Sequence, residues 1–161
     1  MLKRVLFSIV GAITALSIGA AGAYFTSQVQ VSDSIIRAGA VAVSTVPTTA
    51  PLSIDALAPG QTAVRPLAII NDGSLPSDVV VSAKKVSGIT DFFNALTVRV
   101  SCNDTELYNG VLSGLKSQPL RLAPGARGEL RFEVSLPAES PNTLASDYAK
   151  VSLYIDAEQA H

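Results

Sequence analysis

The apolar residues of this chain recur at every second position, which is the spacing of a β-strand with one buried face. Polar residues separate successive apolar ones in three stretches, whose apolar positions are Leu96, Val98 and Val100; Leu130, Phe132, Val134 and Leu136; and Val151, Leu153 and Ile155. Residues 63–70 and 78–86 add runs rich in β-branched residues. Because strands with one solvated face usually pair antiparallel, the spacing predicts an all-β chain. Its expected fold is an antiparallel β-sandwich of about six to eight short strands.

Glycine and proline mark the predicted ends of these strands. Turn signals occur at four dipeptides: Pro59-Gly60, Asp72-Gly73, Asn109-Gly110 and Pro124-Gly125. Pro66 has no backbone N–H, so its strand is predicted to lie at a sheet edge or to bulge there. A short helix is expected near 87–96, with a further turn near 109–116.

A short internal repeat accompanies the turns. The sequence LAPG occurs at 57–60 and again at 122–125, and a large apolar residue, Leu67 or Phe132, stands ten positions after the leucine of each copy. We interpret the two copies as equivalent turn–strand units and expect one in each sheet.

The N-terminus has the order of features found in a secretory signal peptide. Two basic residues precede an uncharged apolar run, and Ala21 and Ala23 supply the small residues that a signal peptidase accepts. We predict a signal helix over 1–23 that is removed by cleavage before Tyr24. An uncleaved membrane anchor is the alternative, because an apolar run of this length can cross a bilayer.

Cleavage there leaves residues 24–161, which is enough chain for one domain. The loss of Lys3 and Arg4 takes the formal net charge from −1 to −3, and no basic run longer than two lysines remains. The charge pattern therefore gives no support to nucleic-acid binding. Cys102 is the one cysteine, so no intrachain disulfide can form. A lone cysteine within a strand is expected to be a small buried residue.

The chain is poor in residues for catalysis or metal binding. A catalytic zinc site needs about three His, Glu or Cys ligands and a general base, and the single histidine is the last residue, His161. A Ser-His-Asp triad would need the same histidine. Glu129 and Glu133 lie on the polar face of one predicted strand, where carboxylates are usually solvated. We predict no catalytic residue, no metal ligand and no cofactor.

The stretch IINDGSLPSD, residues 69–78, has two interpretations. Asn71, Asp72 and Asp78 place oxygen atoms around a glycine, as calcium loops do. Two of these ligands are adjacent, however, and Leu75-Pro76 interrupts the alternate spacing that such a loop needs. Asp-Gly between two apolar runs is also a strong hairpin signal. We predict a hairpin connector here.

The segment that follows the predicted cleavage site, 24–44, also alternates. Val29 and Val31 alternate with Gln28 and Gln30. Such a segment can be the first strand of its own domain. It can also leave that domain and complete the sheet of a neighbouring copy, as in donor-strand complexes. The pattern alone leaves both alternatives open.

Several short motifs resemble the TasA/camelysin family of secreted bacterial proteins. They are AGAYFT at 21–26, IIRAGAVAVS at 35–44, LAPGQT at 57–62, INDGSLPSDV at 70–79 and YIDAEQ at 154–159. Ile36, Ala38 and Gly39 stand in the position of the family's F-x-A-G element, and Gln159 stands for its final glutamine. Gln61 departs from the pattern, because the family usually has an acidic residue there.

The resemblance implies a jelly-roll-like β-sandwich, export through a dedicated signal peptidase, and deposition in the biofilm matrix or at the cell surface. It further implies fibres in which the N-terminal strand of each subunit completes the next one. The partners would be other copies of the chain and a minor matrix or anchoring protein.

On that hypothesis the chain divides into a signal peptide (1–23), an N-terminal donor segment (24–44) and a sandwich domain (45–161). The assembly residues would be Tyr24, Phe25, Val29, Val31, Ile35 and Ile36. Because camelysin relatives also carry a metalloendopeptidase label, a cell-surface metalloendopeptidase is one alternative function. A monomeric surface adhesin is another.

Overall fold

The computed structural model of the chain describes residues 26–30, 41–46 and 52–160. Its strands, in chain order, are β1 (Thr26–Gln30), β2 (Val43–Val46), β3 (Leu52–Asp55), β4 (Thr62–Asn71), β5 (Ser77–Gly88), β6 (Thr97–Cys102), β7 (Thr105–Val111), β8 (Leu120–Leu122), β9 (Arg127–Ser135) and β10 (Tyr148–Gln159). One α-helix, α1 (Thr90–Ala95), joins β5 to β6, and short 3₁₀ turns lie at Leu112–Gly114 and Asn142–Leu144. The predicted all-β class with short helices is confirmed, whereas the predicted signal helix lies outside the described residues. None of the helices described is long and apolar enough to cross a membrane.

The strands form two antiparallel sheets. Sheet I has the order β3-β10-β5-β8, and β1 also pairs with β10, on the side where β3 lies. Sheet II has the order β2-β4-β9-β6-β7. From β3 onwards the chain passes back and forth between the sheets, and only β6 and β7 are consecutive strands of one sheet. The interleaved orders β3-β10-β5-β8 and β4-β9-β6-β7 are those of a jelly roll, so this expectation is confirmed. β1 and β2 are additions to it.

The core lies between the sheets and consists of the residues that alternate in the sequence. Val98 and Val100 on β6 and Phe132 and Val134 on β9 are all within 1% of complete burial. The residues between them are exposed or half-buried. Each such side chain stabilises the fold by about 1.5–3 kcal/mol relative to an exposed position. The helix adds to the same core, because Phe92 and Phe93 on α1 are buried.

The strands that follow the two LAPG copies lie in the same sheet. In both copies the residue after the glycine donates its N–H to the carbonyl of the alanine, at 2.9 Å. Gly60 and Gly125 have φ of 84° and 71°, as the third position of a type II turn requires. The strands that follow, β4 and β9, are hydrogen-bonded neighbours in sheet II. The expectation of one unit in each sheet is wrong, because the two turns start antiparallel strands of the same sheet.

The turn predicted at Asn109-Gly110 is also wrong. Both residues lie within β7, and Gly110 pairs with Val98. A Cβ at Gly110 would lie 2.9 Å from the hydroxyl of Tyr108, so this glycine serves a close side-chain approach. The β6–β7 hairpin turns instead at Asn103 and Asp104, whose φ values are 46° and 68°. Positive φ at both central residues is the type I′ conformation, which Asn and Asp tolerate.

Candidate strand-exchange site

The edge of β10 that lies away from β5 is shared by two short strands. On its inner side β10 pairs with β5 over 149–159. On its outer side β3 covers positions 148–151, and β1 covers positions 154–158. β3 and β1 therefore follow one another along a single edge of sheet I, and β1 is the first described strand of the chain.

The register between β1 and β10 is antiparallel and continuous. Thr26 lies opposite Glu158, Val29 opposite Ile155, and Gln30 opposite Tyr154. Ile155 is fully buried, whereas Tyr154 is half-buried. Directly opposite residues of an antiparallel pair share one face of the sheet. The register thus places position 29 opposite the fully buried Ile155.

β2 is attached to the opposite sheet, and its side chains reach the core. It pairs with β4 over four residues, and Val41 and Val43 are at most 1% exposed. The carbonyl of Ala42 accepts hydrogen bonds from the N–H groups of Asp72 (2.8 Å) and Gly73 (3.1 Å). The boundary predicted between donor segment and sandwich, at 44/45, therefore falls inside β2.

The remainder of the β4 edge is protected against pairing. β2 reaches only to Ala68, which leaves positions 62–67 of β4 without a described strand on that side. Pro66 lies in this part and has no N–H to donate, and the Arg65 guanidinium donates to the carbonyl of Val64 at 3.0 Å. A proline and a charged side chain are common means of blocking edge-to-edge association. β4 is not the edge strand of sheet II, because β2 lies outside it, but Pro66 lies in the part of β4 that the described residues of β2 do not reach, so the predicted edge position holds for Pro66 and not for the whole strand.

Asn71 explains the stretch that resembled both a calcium loop and a hairpin. Its side chain is fully buried. The amide donates to the carbonyls of Leu75 (2.9 Å) and Leu122 (3.0 Å), and its oxygen accepts the N–H of Gly73 (3.0 Å). The side-chain oxygen of Asn71 is thus occupied by Gly73. Through its amide, Asn71 holds the β4–β5 connection against the start of the turn between β8 and β9.

The hairpin predicted for this stretch is wrong. Residues 72–76 join β4 of sheet II to β5 of sheet I, so the two flanking strands do not pair with each other. The glycines with positive φ among the described residues are Gly60, Gly88 and Gly125, so Gly73 lacks the conformation of a type I′ turn. The Asx turn at Asn71 redirects the chain across the sandwich instead.

The described residues do not offer a donor set for a catalytic metal. Within 26–30, 41–46 and 52–160 there is no group of three or more His, Cys, Asp or Glu side chains that could hold an ion. His161 lies outside the described residues. Cys102 is buried at the end of β6, and burial raises the pKa of its thiol. A buried thiol with a raised pKa is a poor nucleophile near neutral pH.

Only part of the predicted site can be placed. Val29 is the one predicted assembly residue within a described strand; Tyr24, Phe25, Val31, Ile35 and Ile36 lie outside, as do the predicted cleavage residues Ala21, Ala23 and Tyr24. Pro59-Gly60 and Pro124-Gly125 occupy turns, and Asp72-Gly73 lies in the connection between the sheets. Sequence reasoning did not identify the β10 positions that receive β1. Alternation predicts which face of β10 is buried but contains no signal for which edge is shared.

Comparison with known proteins finds one family whose model matches this chain. The family model described as Camelysin metallo-endopeptidase matches residues 1–109. No curated protein matches the chain. A solved structure titled "Crystal Structure of FLHE" aligns with 84% of this chain and 98% of its own, at 16% sequence identity and a TM-score of 0.38. A likeness at that TM-score is too weak to bear on the function.

Proposed function

This chain belongs to the camelysin family, and from that premise we propose that it is a secreted structural subunit that polymerises outside the cell. In the proposed fibre, β1 of one copy replaces β1 of the next along positions 154–158 of β10. The observation that carries the proposal is the position of β1: it is the first described strand, it lies on an edge, and it fills only part of that edge.

Exchange of such a strand needs little rearrangement. After the predicted cleavage before Tyr24, β1 is at the start of the mature chain and can leave one copy and enter another without threading, and the exchanged strand makes the same main-chain hydrogen bonds in both. β3 remains on β10 beside the vacated positions and preserves the groove. Because the contact is head-to-tail and does not close on itself, repetition gives a filament.

β2 limits the exchange to the first strand. Val41 and Val43 are buried within their own sandwich, and Ala42 is tied to the β4–β5 connection by two hydrogen bonds. We therefore narrow the donor segment from 24–44 to the part before Val41.

Electron microscopy tests the polymer directly. Negative-stain images of 24–161 should show fibres, and those of a truncation that begins at Ala38 should show none, because it lacks β1 but keeps β2. The double variant Val31→Asp/Ile36→Asp should also stop elongation while leaving a folded monomer. Fibres of unchanged length and number from the truncation would contradict the proposal.

Cysteine pairs test whether β1 pairs within one copy or between copies. In a Cys102→Ala background, the pairs Gln28→Cys/Asp156→Cys and Val29→Cys/Ile155→Cys lie at neighbouring registered positions. One of the two has the closer spacing of a non-hydrogen-bonded pair. After oxidation, non-reducing gels of fibres should show a ladder of linked chains, which reduction collapses. Single-cysteine variants are the controls, and linkage confined to monomers in fibre samples would rule out exchange.

The family description also names a metallo-endopeptidase, so the same preparations should be assayed for proteolysis. Cleavage of a protein substrate that is abolished by a chelator and restored by zinc would favour the enzyme. Fibre formation that is unaffected by the chelator would support the structural role. Neither result depends on the other, so both are informative.

A further inference from the structure

The outward face of sheet II carries two rows of different character. On β9 the outward positions are Arg127, Glu129, Arg131 and Glu133, which alternate in charge. On β4 the residues paired with them are Ile70, Ala68, Pro66 and Val64 in the same order, so this row is apolar. Val64 is 39% exposed and Pro66 is also exposed, whereas Ile70 is half-buried and Ala68 is only 2% exposed, so the accessible part of the row is the half at Val64 and Pro66. An apolar row thus lies directly beside a row of alternating charges.

The charged side chains of β9 have hydrogen-bonding atoms that remain available for further contacts. Nε of Arg127 donates to Glu129 (2.5 Å) and Nε of Arg131 donates to Glu133 (2.8 Å). These two arginine side chains remain 50% and 58% exposed. A guanidinium carries five N–H donors, so a single bond at Nε leaves its two terminal nitrogens available. Glu129 has a second carboxylate oxygen that can accept in the same way, whereas the second oxygen of Glu133 lies 4.0 Å from Nη1 of Arg99.

The order of charges makes the row complementary to itself. When two copies meet face to face with β9 antiparallel and centred on Leu130, Arg127 of one lies over Glu133 of the other, and Glu129 lies over Arg131. The same twofold axis brings the apolar row of β4 over its own equivalent. A parallel arrangement in register would instead bring like charges together. Such a match between charges specifies orientation and partner more than raw affinity.

We propose that this face of sheet II binds the same face of a second copy of the chain. The contact is twofold and isologous, so it closes as a dimer. It uses neither β1 nor the edge of β10 and therefore does not rest on the proposed strand exchange. If both contacts form, filaments associate side by side in pairs.

Charge swaps that preserve composition test the proposal. In Arg127→Glu/Glu129→Arg, and separately in Arg131→Glu/Glu133→Arg, every pair across the twofold axis becomes a pair of like charges. A one-to-one mixture of these two variants restores opposite charges at all positions. Glu129→Arg/Arg131→Glu keeps opposite charges throughout and is the matched control. Circular dichroism would verify that all variants are folded.

The readout is sedimentation velocity of 24–161 at concentrations below those that give fibres. The wild type and the control should dimerise at low salt and dissociate as salt is raised, because exposed charges are screened. Each disruptive swap should weaken dimerisation by about tenfold or more, and the mixture should recover it. A wild type that stays monomeric, equal association of all variants, or a mixture that does not recover would overturn the proposal.

Failure of this contact is distinguishable from failure of strand exchange. Val31→Asp/Ile36→Asp should abolish fibres and leave the dimer, whereas the charge swaps should abolish the dimer and leave single fibres. Loss of dimer in the first variant with no effect of the swaps would refute the face-to-face contact.

Discussion

The two sheets of the sandwich differ in how the edges that carry β1 and β2 are covered. On sheet I, β1 covers positions 154–158 of β10, with β3 next to it on the same edge. On sheet II, β2 is fixed by buried valines, and the rest of the β4 edge carries Pro66 and the Arg65 guanidinium. One edge is covered by the first described strand, and the other is blocked by side chains and by the missing N–H of Pro66. Under the proposed strand exchange, the blocked β4 edge leaves the edge of β10 as the place where a strand is added.

The largest expected effect is a loss of stability from a substitution in β2, at the edge of sheet II. Val43→Asp places a carboxylate at a position that is 1% exposed, and an unpaired buried charge should lower the free energy of unfolding by about 4 kcal/mol. Urea denaturation followed by circular dichroism measures this. Val46→Asp is the matched control, because Val46 lies on the same strand and is 48% exposed. Equal losses for the two variants would show that β2 is not part of the core.

A smaller loss of stability is expected when the connection between β4 and β5 loses the hydrogen bonds of Asn71. Asn71→Ala removes three hydrogen bonds and leaves the carbonyl of Leu122 without its buried donor. The free energy of unfolding should fall by about 2–3 kcal/mol, as measured by thermal denaturation. Asp72→Ala, at the neighbouring and more exposed position, is the control and should change stability little. A stable Asn71→Ala variant would mean that the two sheets are held together elsewhere.

Opening the protected edge should change how copies associate rather than how they fold. Arg65→Thr/Pro66→Val restores a backbone donor and frees the Val64 carbonyl. The fold should stay within about 1 kcal/mol of the wild type, because both positions are exposed. Light scattering should then reveal irregular aggregates beside or instead of fibres. Regular fibres in unchanged yield would indicate that the β4 edge needs no protection.

The smallest effect concerns Cys102, which lies on neither edge. Burial raises the pKa of its thiol, so the folded chain keeps the proton to higher pH than the unfolded chain does. Stability is therefore retained below the unfolded thiol pKa of about 8.5 and declines as pH rises above it. Denaturation midpoints at pH 7 and pH 9.5 should differ slightly more for the wild type than for Cys102→Ala. Rapid alkylation of Cys102 in the folded chain would contradict its burial.

Local patterns in the sequence predicted much of the fold. Alternation identified the buried positions of β6, β9 and β10, since a strand places every second residue on one face whatever its neighbours are. Proline marked the edge at Pro66 for an equally local reason, because a missing N–H cannot be supplied by any partner. The short helix followed from its own residues in the same way.

The errors concern choices that depend on distant residues. Asp72-Gly73 was predicted as a hairpin, yet the buried amide of Asn71 bonds to Leu122, 51 positions away, and sends the chain to the other sheet. Asn109-Gly110 failed as a turn because the β6–β7 ladder extends to Val111. A dipeptide determines which turn conformations are possible, but it does not determine whether the strands before and after it pair with each other.

The sequence by itself determined that this chain is built of amphipathic strands, since alternation and missing donors are properties of each segment alone. Only the tertiary structure decided which strands meet. It assigned β4 and β9 to one sheet, β1 to the edge of β10, and the alternating charges of β9 to a position beside the apolar row of β4. Pairing between strands is set by long-range contacts that close the core, and a single sequence does not record them.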